Sequence, residues 1–344
     1  LRFQYDLFPN DKDLQMTELM QDVRLSRSTD QPLEILRFAN DEAGAGRRCA
    51  LVTLIEIEGG ASRALGTQMA VSENGRYCGY ISGGCIEATV ARAAIIALRR
   101  GQSRLLRLGL GSPYFDIVLP CGGGITLAIH IITQPEEIAE LVLGLEKRRE
   151  MTLELRLATD DVVACMSNRT SGWDGEKFVV GYMPAPQILL FGQGIEPDAF
   201  SELAHAAGIA VERPESVDRI HIDSYTAVVL LQHDLEKDMP VLQAALATDA
   251  FYIGCLGSLK THRKRGERLI ELGFLPSQIG RIRAPIGMWG PTRDARSLAI
   301  SVLAEVVARY NKIPVDNSTP VTGPTVFISD QVNQSLRDSC NREY

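Results

Sequence analysis

Two cysteines of this chain sit where glycine frees the backbone. Cys85 lies in the run Ser82, Gly83, Gly84, Cys85, Ile86, Glu87, and Cys121 opens the run Cys121, Gly122, Gly123, Gly124. A thiolate is both a nucleophile and a soft metal ligand. Beyond Cys85, the apolar positions Ile86, Val90, Ala93, Ala94 and Ala97 recur at helical spacing, so Cys85 is expected at the mouth of a helix. A helix start offers unpaired N–H groups and partial positive charge, which favour an anion and a thiolate alike. Arg99 and Arg100, then Gly101, are the matching stop signals. The same letters also suit a glycine-rich turn followed by a packed, unreactive cysteine. At Cys121 the three glycines either let the main chain approach a ligand closely or mark a bulge or loose turn.

For these residues to act together, elements distant along the chain must converge. Residues 50–57 are rich in β-branched side chains and read as a buried strand. Residues 58–69 form a glycine-punctuated loop carrying Arg63, which leads into a hairpin turning at Glu73, Asn74 and Gly75. After the helix come a strand over 103–108, a loop over 109–120 and a strand over 125–132. Helices are expected over 33–38 and 136–150, and strands over 162–166 and 178–182. Residues 1–31, polar and of mixed charge, read as an N-terminal extension.

Pro184 and Pro186 mark a domain boundary. An apolar strand over 188–194 then runs into Gly192 and Gly194, and a helix over 198–207 follows, the opening of a Rossmann-type unit. Pro197 stands where the third fingerprint glycine would be, and Glu212 where an acidic residue could hold a ribose hydroxyl. Arg213 and Pro214 end the second strand at once. The unit is therefore either a site for NAD or NADP, as in a nicotinamide-dependent oxidoreductase, or the same fold without that ligand. Strands over 227–231 and 251–256 flank a helix over 238–247. Gly257 and Ser258 follow at the carboxyl-end crevice, ahead of a helix carrying Lys260, Arg263, Lys264 and Arg265. That cluster suits a phosphate or an acidic partner, or is a solvated basic face. A helix over 295–309 closes the domain, and 313–344 read as a polar tail.

The chain's 344 residues suffice for two ordinary domains, and 45% apolar with 23% charged residues is a globular composition. No apolar run is long enough to cross a bilayer, so no membrane partner is expected. A net charge of −7 argues against a broad nucleic-acid surface. Seven scattered cysteines without a visible secretory leader point to a reducing, cytoplasmic home rather than a disulfide framework. With no CxxC pair and five histidines remote from the cysteines, a preformed zinc site is not expected.

Taken together, SGGCIE at 82–87, CGGG at 121–124, FGQG at 191–194, YIGCLGS at 252–258, and APIG at 284–287 followed by SVLAEV resemble the xanthine dehydrogenase accessory protein family (XdhC/CoxI). The resemblance implies a two-domain α/β protein, with an N-terminal α/β domain over 32–183 and a Rossmann-like parallel-sheet domain over 184–312. It implies a maturation chaperone without turnover of its own. Such a protein holds the molybdenum cofactor, a phosphorylated molybdopterin, while a cysteine desulfurase supplies sulfur. It then delivers the cofactor to an apo molybdenum hydroxylase of the xanthine dehydrogenase or aldehyde oxidoreductase type. A homodimer is implied as well.

By position, Cys85 and Cys121 match the two family cysteines that would face molybdenum or sulfur, and Ser82, Gly83, Gly84 and Glu87 match the loop around the first. Arg63 matches the arginine of the family's glycine-rich loop. Gly122, Gly123, Gly192, Gly194, Gly257 and Ser258 complete the expected cofactor contacts. A variant of this reading has Cys85 itself carrying a persulfide. The chain departs from the family pattern at Gly60, Ser62 and Gln68, and in MWGPTRDARS at 288–297.

Overall fold

The computed structural model describes residues 22–84, 86–110, 122–157, 159, 161–217 and 220–313. They fall into two compact units that divide between Met183 and Pro184. Cys85, Cys121, most of the loop over 109–120 and the tail beyond Ile313 lie outside the described residues.

The first unit is built on a six-stranded sheet ordered β1-β4-β3-β2-β6-β5, where β1 is Arg24–Arg27, β2 Cys49–Glu58, β3 Gln68–Ser72, β4 Arg76–Gly79, β5 Arg104–Gly109 and β6 Gly124–Ile131. Only β1 pairs in parallel, along β4; the other pairings are antiparallel. The centre of β2 is buried on both faces because side chains alternate across a sheet covered on both sides. Ala50, Val52 and Leu54 meet helix α2 (Glu87–Arg100) through Val90, Ala94 and Leu98. On the other face, Cys49, Leu51 and Ile55 join the core of helices α1 (Pro32–Gly44) and α3 (Pro135–Glu146). That core is completed by a second, antiparallel sheet ordered β8-β7-β10-β9, with β7 Met151–Arg156, β8 Asp161–Met166, β9 Gly172–Asp174 and β10 Lys177–Tyr182.

The punctuation of α2 is as the sequence indicates, with Gly101 left-handed (φ 66) at its C-cap and Arg99 and Arg100 in its last turn. Other elements differ from expectation. Helix α1 continues six residues past Phe38, because Glu42 lies on its buried face and interrupts the apolar pattern. Helix α3 stops at Glu146, and strand β7 follows where the sequence pattern extends the helix. The stop is a Schellman closure in which Arg149 and Arg148 donate to the Gly144 and Leu145 carbonyls. Arg148 (φ 56) takes the left-handed position that glycine usually advertises. Strand β1 falls inside the segment read as an extension; its four residues are exposed, so no apolar alternation marks it.

The second unit is a five-stranded parallel sheet ordered β12-β11-β13-β14-β15, comprising β11 Gln187–Phe191, β12 Ala210–Glu212, β13 Thr226–Leu230, β14 Tyr252–Cys255 and β15 Ile282–Arg283. Helices α4 (Ile195–Ala206) and α8 (Ala295–Tyr310) cover one face, and α5 (Leu235–Leu246), α6 (Leu259–Glu271) and the short α7 (Pro276–Ile279) the other. The strand order reverses between β11 and β13, so the carboxyl ends of those strands form the crevice typical of doubly wound sheets. Helix α4 begins three residues before the expected start. Pro197 falls in its first turn, where a missing N–H costs no helical bond.

Candidate functional site

The loop before α2 is held by one buried carboxylate. Glu87, at 1% exposure, accepts hydrogen bonds from Ile81 N (3.1 Å), Ser82 N (2.7 Å), Ser82 Oγ (3.1 Å) and Ile86 N (3.1 Å). It thereby fixes the main chain on both sides of position 85, and its negative charge sits at the positive end of α2. Glu87 is thus a positioning group whose oxygens are occupied by the loop. Gly83 and Gly84 have open space where a Cβ would stand, and Gly84 has φ +105. No neighbouring protein atom requires glycine at 83, so the bare backbone there leaves room for something outside the chain.

Arg63 reaches this loop from the segment between β2 and β3. Its Nε donates to the Ser82 carbonyl (3.2 Å), and its Nη1 pairs with Asp30 (3.0 Å), which follows β1. The glycines after position 121 meet the same segment at its start. A Cβ on Gly123 would run into the carbonyl oxygens of Gly60 and Glu58, and one on Gly124 into the Leu110 carbonyl and Arg107 Nη2. Leu110 N donates to Gly123 O at 3.0 Å. Gly123 and Gly124 are therefore demanded by packing between β2, β5 and β6, which excludes a loose turn there. Gly122 (φ +68) is different, with open space beside it.

The stretch from Gly59 to Arg63 is thus the meeting point. Gly60 packs on Gly123, Arg63 bonds Ser82, and the Cα atoms of Gly60 and Arg63 can be no more than about 11 Å apart. The described neighbours of both cysteines attach to one short loop. Three further contributors carry no signal in the sequence. Arg107, buried beside Gly124, pairs with Glu58 and Glu56 and bonds Thr126 Oγ1 (3.0 Å) and Leu110 O (3.0 Å). Asp30 and the Glu56–Glu58 edge complete the surround. An arginine within an alternating strand and an aspartate in a polar extension look locally like ordinary surface residues.

The described cysteines are of another kind. Burial pushes the thiols of Cys49 and Cys255 up to about 12 and that of Cys78 to about 11, and it raises Cys165 as well. They stay protonated at neutral pH. Among the described residues, no group of three or more histidine, cysteine or acidic side chains is arranged to hold a metal ion.

In the second unit, Gly192 (φ +137) lets β11 pass against the Leu231 carbonyl, with the Pro197 ring beside it where a third glycine would have packed. Gly194 is the N-cap of α4. Arg213 spans this turn, donating to Gly192 O (3.1 Å) and Asp198 Oδ1 (2.7 Å), while Glu212 is exposed at the end of β12. Gly257 (φ +130) precedes Ser258, whose Oγ caps α6 by accepting from Thr261 N (3.2 Å). The basic cluster after it divides. Lys260, Arg263 and Lys264 are exposed, but Arg265 is wholly buried against Asp238, so it is not part of a solvated face.

A largely antiparallel first unit with glycine-lined loops, followed by a doubly wound parallel sheet, defines a two-unit α/β protein. Residues 43–109 match the model of the XdhC and CoxI family, and residues 188–306 match the XdhC Rossmann domain. The chain belongs to the XdhC and CoxI family. Over 284 residues, 81% of this chain and 89% of the relative, it is 44% identical to the molybdenum cofactor insertion chaperone PaoD of Escherichia coli (strain K12). It is 22% identical to a protein of Bacillus subtilis (strain 168) described as a probable component of xanthine dehydrogenase, covering 77% of this chain and 94% of that protein. Its fold is similar to a crystal structure described as a xanthine dehydrogenase from Bacillus halodurans, with TM-score 0.66, 18% identity, and coverage of 86% of this chain and 99% of the other. No helix among the described residues is long and apolar enough to cross a membrane.

Proposed function

We propose that the chain is a molybdenum cofactor chaperone that binds the molybdopterin cofactor in its first unit and inserts it into an apo molybdenum hydroxylase of the xanthine dehydrogenase or aldehyde oxidoreductase type. The observation that carries this reading is the convergence of the Ser82–Gly84 loop, Arg63 and the Gly122–Gly124 run on one stretch, Gly59 to Arg63. The bare backbone at Gly83, Gly84 and Gly122 gives room for a planar pterin and its phosphate, so the residues present fit the group. Free amides at the start of α2 and the Arg63 guanidinium suit a phosphate. Cys85 and Cys121 supply soft thiolates toward molybdenum or its sulfur.

In this reading Glu87 holds the loop in shape before the cofactor arrives, and Asp30 holds Arg63 at the rim, so little order has to be created on binding. The cofactor supplies the redox chemistry of the recipient enzyme; this chain binds, shields and releases it. Sulfuration while bound requires a cysteine desulfurase as a second partner, and a homodimer presents two such sites. Protein co-produced with molybdopterin biosynthesis should retain pterin, read as fluorescence after oxidation. The paired change Cys85→Ala with Cys121→Ala should abolish that retention, and equal retention by the pair would remove the thiols from the account.

A further inference from the structure

The second unit contains a charged group whose hydrogen bonding is incomplete. Arg265, at 0% exposure, donates from Nε to Asp238 Oδ2 (2.8 Å) and from Nη2 to Leu256 O (2.7 Å). Asp238 is equally buried, and its other oxygen accepts from Gln232 Nε2 (3.0 Å). Arg265 Nη1 is buried with no partner at all. A guanidinium carries five N–H donors, and leaving some unpaired away from water is costly.

The unpaired nitrogen is aimed at the start of α6. A Cβ on Gly257 would stand 3.4 Å from Nη1 and 3.3 Å from Thr261 Cβ and Cγ2, so glycine is what leaves this approach clear. The next residues are the exposed Ser258, Leu259 and Lys260. Ser258 Oγ takes up the Thr261 N–H, whereas the N–H groups of Leu259 and Lys260 have no acceptor within the helix. His262 contributes a second buried, unpartnered nitrogen, Nδ1, in the same first turn.

We propose that Gly257, the first turn of α6 and Nη1 of Arg265 form a binding site for a phosphate group in the form of a phosphomonoester dianion. One phosphate oxygen accepts from the Leu259 and Lys260 amides and another from Arg265 Nη1. Asp238 keeps the guanidinium fork oriented before the ligand arrives. Lys260, Arg263 and Lys264 add positive potential around the entrance. Thr261 shares the space beside Nη1 and is the side chain that turns aside to admit the ligand. The site lies wholly in the second unit and does not depend on the cofactor reading.

The test is calorimetric titration of the full chain, free of cofactor and at constant ionic strength, with inorganic phosphate and with adenosine 5′-monophosphate. Saturable binding is expected. It should weaken by about tenfold or more in R265K, which keeps a charge opposite Asp238 but deletes Nη1, and in G257A, which places a methyl group in the approach. The triple change K260A/R263A/K264A should weaken it by less than about threefold, since exposed charges act only through a screened field. Tighter binding of the nucleotide than of phosphate assigns the source to a nucleotide, and equal binding assigns it to the phosphate alone. Absence of saturable binding by either ligand overturns the proposal. So does wild-type affinity in G257A, which decides the matter should R265K fail to fold.

Discussion

Gly83 and Gly123 are the same residue type with opposite reasons for being there. At Gly123 a methyl group would strike two backbone carbonyls, those of Gly60 and Glu58, which cannot swing away as a side chain would. Gly123→Ala is therefore expected to cost more than about 2 kcal/mol in urea denaturation. At Gly83 the same methyl would meet nothing, so Gly83→Ala should change stability by less than about 0.5 kcal/mol while lowering pterin retention. A Gly83→Ala protein that retained pterin fully would show that the open face of the loop is unused. Glu87 is a third case. Its carboxylate satisfies three backbone N–H groups, so Glu87→Ala should cost about 1–3 kcal/mol by the same measurement and loosen the loop around position 85. The sequence marks Glu87 as a ligand contact; the structure gives its oxygens to the chain's own backbone. That distinction is invisible in sequence, because a capping carboxylate and a ligand-binding one occupy the same place at a helix start.

Among the elements, α1, β3 and β4 are tied by a single buried carboxyl group. Glu42 bonds Arg47 (2.6 Å), Ser72 Oγ (2.6 Å) and Arg76 (3.1 Å). The hydrogen bond from Arg47 holds its pKa below the ordinary carboxylate value, against the opposing effect of burial. A carboxyl group whose folded pKa is depressed stabilises the fold above its unfolded pKa, and the contribution is lost as pH falls through the folded value. Stability measured by urea denaturation should therefore fall as pH drops below about 4.3, and Glu42→Gln should flatten that slope. Invariant stability in acid for the wild type would contradict this role. The elements legible in the sequence are those with strong punctuation: α2, ended by Gly101; the hairpin turning through Gly75; and the parallel strands of the second unit, which are apolar on both faces. The others lack it. Arg148 ends α3 in a conformation that sequence assigns to glycine, β1 is an exposed edge, and Arg265 looks like one more surface cation in a basic helix.

Across the whole molecule, the cysteines divide by environment. Cys49, Cys78 and Cys255 are buried in the two units with pKa values raised by burial, so each is neutral in the folded state. A thiol raised in this way stabilises the fold fully below its ordinary pKa, and the contribution fades as pH climbs toward about 11 to 12. Alkylation of the native protein near pH 8 should leave these three unmodified and reach them only after unfolding, as peptide mass spectrometry would show. The two glycine-flanked thiols are recognisable in the sequence by their setting alone. The loop from Gly59 to Arg63, as the place where their neighbours meet, is not, since that depends on pairing between β2 and β6, strands more than sixty residues apart. The most direct test of the account combines the two points: alkylation of Cys85 and Cys121, followed by mass spectrometry, in protein that holds molybdopterin and in protein that does not. Both thiols should be modified in the cofactor-free protein and protected in the loaded one. Equal modification of both in protein that retains its pterin would contradict the claim that the cofactor lies between them.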